Sequence, residues 1–207
     1  YTPFGPSAWQ GIATRVKQFA SQGKKTAIVS TINGDANVPF YRELGNQGIS
    51  ATDLPCVAFS VGEEELAGID TRPLVGHLAA WNYFMSIQGQ PNTEFKQMWA
   101  NFIRNPRRVT NDPMEATYTG FRMWTQAVTQ ARSTAVDAVR TAMIGQKVMA
   151  PCGYEEEMKA NHPLTKPVFI GEIEANGQFN IVWRTPGAIA AENWSPFIPE
   201  NANRRRG

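Results

Sequence analysis

Residues 26–49 read TAIVSTINGDANVPFYRELGNQGI, and the fold turns on them. Residues 26–32 are a short, β-rich apolar run, the length of a buried strand. Asn33, Gly34, Asp35, Ala36 and Asn37 break it with turn residues. Pro39 falls in a first helical turn, where its missing N–H costs nothing. Tyr41 and Leu44 carry the helix on, and Gly48 closes it. In a parallel α/β sheet, the loop leaving a strand's carboxyl end is where small ligands bind. This loop offers a carboxylate, two amides and backbone N–H groups; a solvated βα turn is the other reading of the same residues.

Upstream, Ser7 can cap a helix whose apolar positions Trp9, Ile12, Ala13, Val16, Phe19 and Ala20 recur at helical spacing, with Gly23 as its stop. Downstream, residues 56–60 form a second short strand, emptying into Val61, Gly62, Glu63, Glu64, Glu65 and Leu66. Three acids there suit a helix N-terminus, and one of them can instead face a site. Residues 75–81 read as a third strand, with His77 inside it as a structural histidine. Helix and strand alternate over short connections, so the three strands are expected parallel and adjacent in one sheet.

The next stretch is helical. Phe95, Met98, Trp99, Phe102 and Ile103 make an amphipathic face, ended by a break over residues 106–110. Asp112 is the expected cap of the longest helix, with Pro113 in its first position and Glu115 three after the cap. Met114, Tyr118, Phe121, Trp124, Val128 and Ala131 are its expected buried stripe. Thr134 and Asp137 read as a capping box for another helix, ending at Gly145. After Pro151 the pattern changes. Residues 168–174 and 178–184 alternate around Asn176 and Gly177, a strong hairpin signal, with Phe179, Ile181 and Trp183 on one face. From Pro186 onward the composition suggests a wrapping tail.

With 207 residues and 42% hydrophobic content, a sizeable core is available. The formal charge of +2 rests on Arg204, Arg205 and Arg206; without them 17 basic residues face 18 acidic ones, so no basic face argues for nucleic acid. No apolar run approaches the length of a membrane span. The opening on Tyr1 rather than Met suggests a processed or truncated chain. Cys56 and Cys152 show no zinc-ligand spacing and read as two inert thiols, with a disulfide as the alternative. No cofactor is expected.

In combination, STINGDANVPFYRELGNQGI, VAFSVGEEELAGIDTRPLVGHLAAWNYF, RVTNDPMEATYTGFRMW and NHPLTKPVFIGEIEANGQFNIVW resemble the solute-binding proteins of type I periplasmic fold. The nearest branch is the urea- and short-chain-amide-binding one of the branched-chain amino acid transporter family. Members usually carry two histidines before the leucine where this chain has His162 and Pro163. The resemblance implies an α/β, three-layer parallel-sheet lobe, with helices of a second, incomplete lobe. Residues 1–84 and 151–186 would form the C-terminal lobe, 85–150 would belong to the N-terminal lobe, and 187–207 would be tail. The rest of the N-terminal lobe would be missing from this chain. The ligand would lie in the cleft between lobes and pass to an ABC permease, in the periplasm or at the outer face of the cell membrane.

Urea has one carbonyl acceptor and four N–H donors, and burying it demands partners for all of them. Asp35 and Glu63 are the expected acceptors, and the backbone N–H groups of Gly34 and Gly62 the expected donors. Trp81 and Tyr83 would cover a flat ligand, and Asn33 and Ser60 complete the expected site. A ligand-sensing regulator of amide metabolism and a branched-chain amino acid-binding protein are the alternatives. An amidase would need a nucleophile with a base, or a metal, and the cysteines and histidines fall in no segment of that kind.

Overall fold

The computed structural model describes residues 8–105, 107–201 and 204; Ser7, Pro106, Arg205 and Arg206 lie outside them. Three parallel strands, β1 (Ile28–Ser30), β2 (Cys56–Ala58) and β3 (Leu78–Trp81), lie side by side as expected. The sheet continues through an antiparallel hairpin, β6 (Phe169–Ile173) and β7 (Phe179–Arg184), in the order β1-β2-β3-β6-β7. The expected hairpin thus returns to the sheet and does not join the helices between.

The helices follow from local sequence. α1 (Trp9–Ala20) starts from Ala8 and buries Trp9 and Ala13. α2 (Asn37–Asn46) ends in a Schellman motif. Ile49 N–H reaches Leu44 O and Gly48 N–H reaches Gly45 O, both at 3.0 Å, with Gly48 at φ 62°. α3 (Glu63–Leu66) is a single turn. α4 (Gln90–Ile103), α5 (Asp112–Ala131) and α6 (Val136–Met143) follow β3 and lead into a small hairpin, β4 (Lys147–Met149) with β5 (Glu155–Glu157). Among the described residues no helix is long and apolar enough to cross a membrane.

Several expectations shift. His77 precedes β3 rather than lying within it. Its Nδ1 accepts Cys56 N–H at 3.0 Å, which leaves Nε2 to donate to Ile49 O at 3.2 Å; burial lowers its pKa, so it is a neutral structural strut. The cap of α5 is Asn111, whose Oδ1 accepts Met114 N–H at 3.2 Å. Asp112 moves into the helix, and Glu115 is drawn inward to Lys166 at 2.7 Å. That pair rotates α5: its buried face is Asp112, Glu115, Thr119, Met123 and Ala127, while Phe121 and Trp124 of the expected stripe are 61% and 43% exposed. Thr134 forms no capping box, since Ala135 is the cap of α6 and Asp137 pairs with Arg140 at 3.4 Å.

The hairpin is irregular in one informative way. Ile170 pairs with Trp183 and Gly171 with Ile181, so Val182 is an extra, bulged residue. Trp183 is thereby turned to the face opposite Phe179 and Ile181 and stands 50% exposed. Gly171 is required where it is: a Cβ there would lie 2.9 Å from Phe179 Cβ and 3.1 Å from Phe84 Cζ.

Strand register assigns the two faces. Cys56, Ala58, Ala79, Phe169, Gly171, Ile173 and Phe179 share one face, buried against Tyr41, Leu44 and Phe84. The other carries Val29, Val57, Leu78, Ala80, Ile170 and Trp183, and among the described residues none of these is fully buried. α4 likewise leaves Met98 and Phe102 at 47% and 78% exposure. Contiguous apolar surface of this kind drives association. The 207-residue chain alone is therefore expected to self-associate in light scattering; a clean monomer at high concentration would contradict this.

Candidate functional site

The loops at the carboxyl ends of β1 and β2 are stapled together by two short polar side chains. Asn37, fully buried at the start of α2, donates from Nδ2 to Ile32 O (2.9 Å), Gly34 O (3.2 Å) and Ser60 O (3.2 Å). Ser60 Oγ donates to Ile32 O at 2.6 Å. Asn33 caps a single turn of 3-10 helix, Gly34–Ala36, that rides on this staple; Asn33, Gly34 and Asp35 are exposed, with Gly34 at φ 61°.

The second loop packs on the third strand. A Cβ at Gly62 would sit 3.2 Å from Trp81 Cζ3 and 3.6 Å from Asn111 Cβ, so glycine lets the half-buried indole lie closer to this backbone than a larger residue would without shifting it. Gly62 N–H is already engaged, donating to Glu65 Oε2 at 2.8 Å. Burial raises the pKa of Glu65, and the charges of Glu64 and Asp35 add to the shift. Asp35, Ser60, Gly62, Glu65, Trp81 and Asn111 thus gather along one edge of the sheet.

Two expected site residues stand behind this rim. Glu63 is 1% exposed; its Oε1 accepts Met85 N–H at 2.6 Å, and its Oε2 has no hydrogen-bond partner. Burial pushes its pKa up to about 8, so at neutral pH it is mainly a neutral acid able to donate one O–H, rather than the anionic acceptor its sequence suggests. Tyr83 is fully buried, and its hydroxyl is spent on Asn92 Oδ1 (2.7 Å) and Thr110 Oγ1 (2.8 Å). In this conformation it braces the turn after β3 and faces no open space. Asp112 grips the same turn, accepting Asn82 N–H at 3.0 Å, and Asn82 Nδ2 donates to Pro167 O at 2.6 Å.

Asn37, Glu65 and Asn111 carry the arrangement without being expected site residues. Asn37 lies in the turn that breaks the first strand from its helix, and Glu65 sits at the third helical position after Gly62, where a carboxylate reaches back to the cap. Asn111 has no such signal.

The sheet's topology, with loops gathered at its carboxyl edge, is that of an open α/β lobe. The chain belongs to the periplasmic binding protein domain family, whose model matches residues 1–200. It is similar in structure to a solute-binding protein of an ABC transporter from Rhodopseudomonas palustris HaA2, solved with p-hydroxybenzoic acid. The TM-score is 0.76 at 19% identity, over 90% of this chain and 51% of that one. An amino acid ABC transporter substrate-binding protein from Pseudomonas fluorescens Pf-5 matches at TM-score 0.71 and 17% identity, over 89% of this chain and 50% of that one. The chain thus spans about half the length of these structures. Among curated proteins, one from Geobacillus stearothermophilus named limonene hydroxylase is 30% identical over 118 residues, 56% of this chain and 21% of that protein.

Proposed function

We propose that this chain is the C-terminal half of an ABC-transporter solute-binding protein that takes urea or a short-chain amide in a cleft between two lobes. Asn33, Gly34, Asp35, Ser60, Gly62 and Trp81 form one wall of that cleft, with Glu63 and Tyr83 positioning it from behind. The single observation that supports this most is the joining of the β1 and β2 loops by Asn37 and Ser60, with Trp81 against Gly62. It brings three strand ends to one rim, where open α/β sheets gather ligands.

The rim's chemistry favours a small neutral solute. Asp35 and Glu65 place acidic groups there, and none of the rim residues named above is basic. An aromatic or amino-acid carboxylate would find no counter-charge among these residues, and Arg108, beside the same loop, is paired with Glu64 at 3.6 Å. An amide's N–H groups instead meet Asp35, and its flat face meets Trp81.

Residues 1–84 and 151–186 are assigned to this lobe and 85–150 to the other, with 187–207 as tail. One small core, Ala127, Val139 and Ala142, lies wholly within 85–150, while Met158 joins Met123 and Val148, and Ile87, Phe95 and Ala150 join the main core, so packing crosses the proposed division. The solute would pass to a membrane permease from the periplasm. A binding role rather than catalysis fits the available side chains. His77 spends both nitrogens on backbone groups, and burial pushes the Cys56 thiol up to about 11. The test is competitive titration of the intact two-lobed protein with urea, acetamide, leucine and 4-hydroxybenzoate. Urea or acetamide is expected to bind tightest, and tighter leucine or 4-hydroxybenzoate binding would reject the amide assignment.

A further inference from the structure

A buried cluster of ionisable groups lies apart from the rim, where α5, β5 and the segment entering β6 meet. Lys166 Nζ is 2.7 Å from Glu115 Oε2 and 3.5 Å from Glu156 Oε1. Cys152 Sγ donates to Glu156 Oε1 at 3.4 Å, and Thr119 Oγ1 to Glu115 Oε1 at 3.4 Å. Both glutamates are 0% exposed and Cys152 is 2% exposed. Asp112, at the start of α5, is the third carboxylate acting on Lys166. Tyr83, facing Glu115 from the turn after β3, has its hydroxyl spent on Asn92 and Thr110.

Fully ionised, this cluster sets three negative charges against one positive in the interior. Glu156 Oε2 has no hydrogen-bond partner, and an ionised oxygen left so is among the costliest arrangements a core can hold. We propose that Glu156 carries a proton while α5 is seated on β5 and Lys166, and that losing this proton loosens α5, making the cluster a proton-dependent latch. With Glu156 neutral, Lys166 serves Glu115 and Asp112. Once Glu156 ionises, it competes with Glu115 for the same ammonium, and the repulsion acts across the seam between β5 and α5. Burial, then the charge of Glu115, push Glu156 up to about 7, and burial pushes Asp112 to about 6, so the latch operates near neutral pH. Glu115, Cys152 and Glu156 also bring potential metal-ligand atoms within 4.8 Å of one another. The Lys166 ammonium already neutralises charge on two of these three residues, Glu115 and Glu156, which favours a proton over a metal. The latch is internal to this chain and does not depend on which solute the rim binds.

Infrared difference spectra between the unsubstituted chain and Glu156→Gln test this directly. At pH 6 the difference is expected to show the carbonyl band of a protonated carboxylic acid, and at pH 8.5 none. Hydrogen exchange of the α5 amides, corrected for intrinsic rates, is expected to accelerate over the same range by about tenfold, and Glu156→Gln is expected to abolish the acceleration. No band at pH 6, an acceleration unchanged by Glu156→Gln, or stoichiometric Zn²⁺ uptake that removes the band would overturn the proposal. Should Glu156→Gln fail to fold, ¹³C NMR of the Glu156 carboxyl in the unsubstituted chain decides the same point: titration near neutral pH supports the latch, and titration in the ordinary glutamate range overturns it.

Discussion

Replacing Lys166 by methionine is expected to cost about 3–5 kcal/mol of stability, because it leaves buried carboxylates without their cation. Lys166 is the basic group that contacts both Glu115 and Glu156, and both glutamates are fully buried. Methionine keeps most of the volume and removes the charge. Against a total of about 5–15 kcal/mol for a typical domain, the loss takes much of the margin. Thermal unfolding should therefore fall steeply, or the chain should fail to fold at ambient temperature. Adding Glu115→Gln and Glu156→Gln to Lys166→Met should restore part of the loss, since no uncompensated charge then remains at those positions. A loss under about 1 kcal/mol, the scale of an exposed pair, would show that the cluster is not sealed from water.

Stability is expected to rise as pH falls from 8 to 5, the reverse of ordinary acid weakening. Glu63, Glu156 and Asp112 have folded-state pKa values raised, chiefly by burial, to about 8, 7 and 6, from ordinary values of 4.5, 4.5 and 3.8. A carboxyl raised on folding binds more protons folded than unfolded between the two values, so its contribution declines as pH climbs through that window. Together the windows span about pH 4 to 8. The carboxylates of Asp70 and Glu157 are shifted down by Arg72 and Lys159, and their opposing effect falls at lower pH; His77, lowered by burial, opposes the trend below its ordinary value of 6.5. If folding raises each buried carboxyl's pKa by only about 1, part of each window lies below pH 5 and the gain between pH 8 and pH 5 is about 1.5 kcal/mol, or roughly 5 °C in melting temperature for a chain of this size. Melting curves at pH 5 and pH 8 check this, and Glu63→Gln should flatten the dependence. A higher melting temperature at pH 8 would contradict it.

The parallel strands were legible because their signal is local: short apolar runs bounded by turn residues, then helices with clear stops such as Gly48. The β6–β7 hairpin was equally plain from Asn176 and Gly177. The fate of Trp183 was not, because the bulge at Val182 depends on pairing with Ile170 and Gly171, a contact between strands that alternation along one strand does not encode. The face of α5 was misjudged for a related reason. Apolar periodicity favoured Met114, Tyr118, Phe121 and Trp124, but a buried ion pair to a lysine 51 residues away turned Glu115 inward. β5 was invisible for the same cause: a run of three glutamates shows no apolar alternation, yet Glu156 is buried by the same lysine. At the rim, the loops were found from strand ends alone. Their locking by Asn37, and the retreat of Glu63 and Tyr83 behind them, required the three-dimensional hydrogen bonds.

The central claim is that the rim around Asp35 binds urea or a short amide, and calorimetry on the intact two-lobed protein tests it most directly. Removing a buried acceptor costs about 1–3 kcal/mol, roughly five- to a hundredfold in affinity. Asp35 is exposed in the single lobe and is expected to be covered only when the cleft closes on the ligand, so Asp35→Ala should weaken urea binding by that factor while leaving the melting temperature of the unliganded protein unchanged. Urea affinity unaltered by Asp35→Ala would contradict the account.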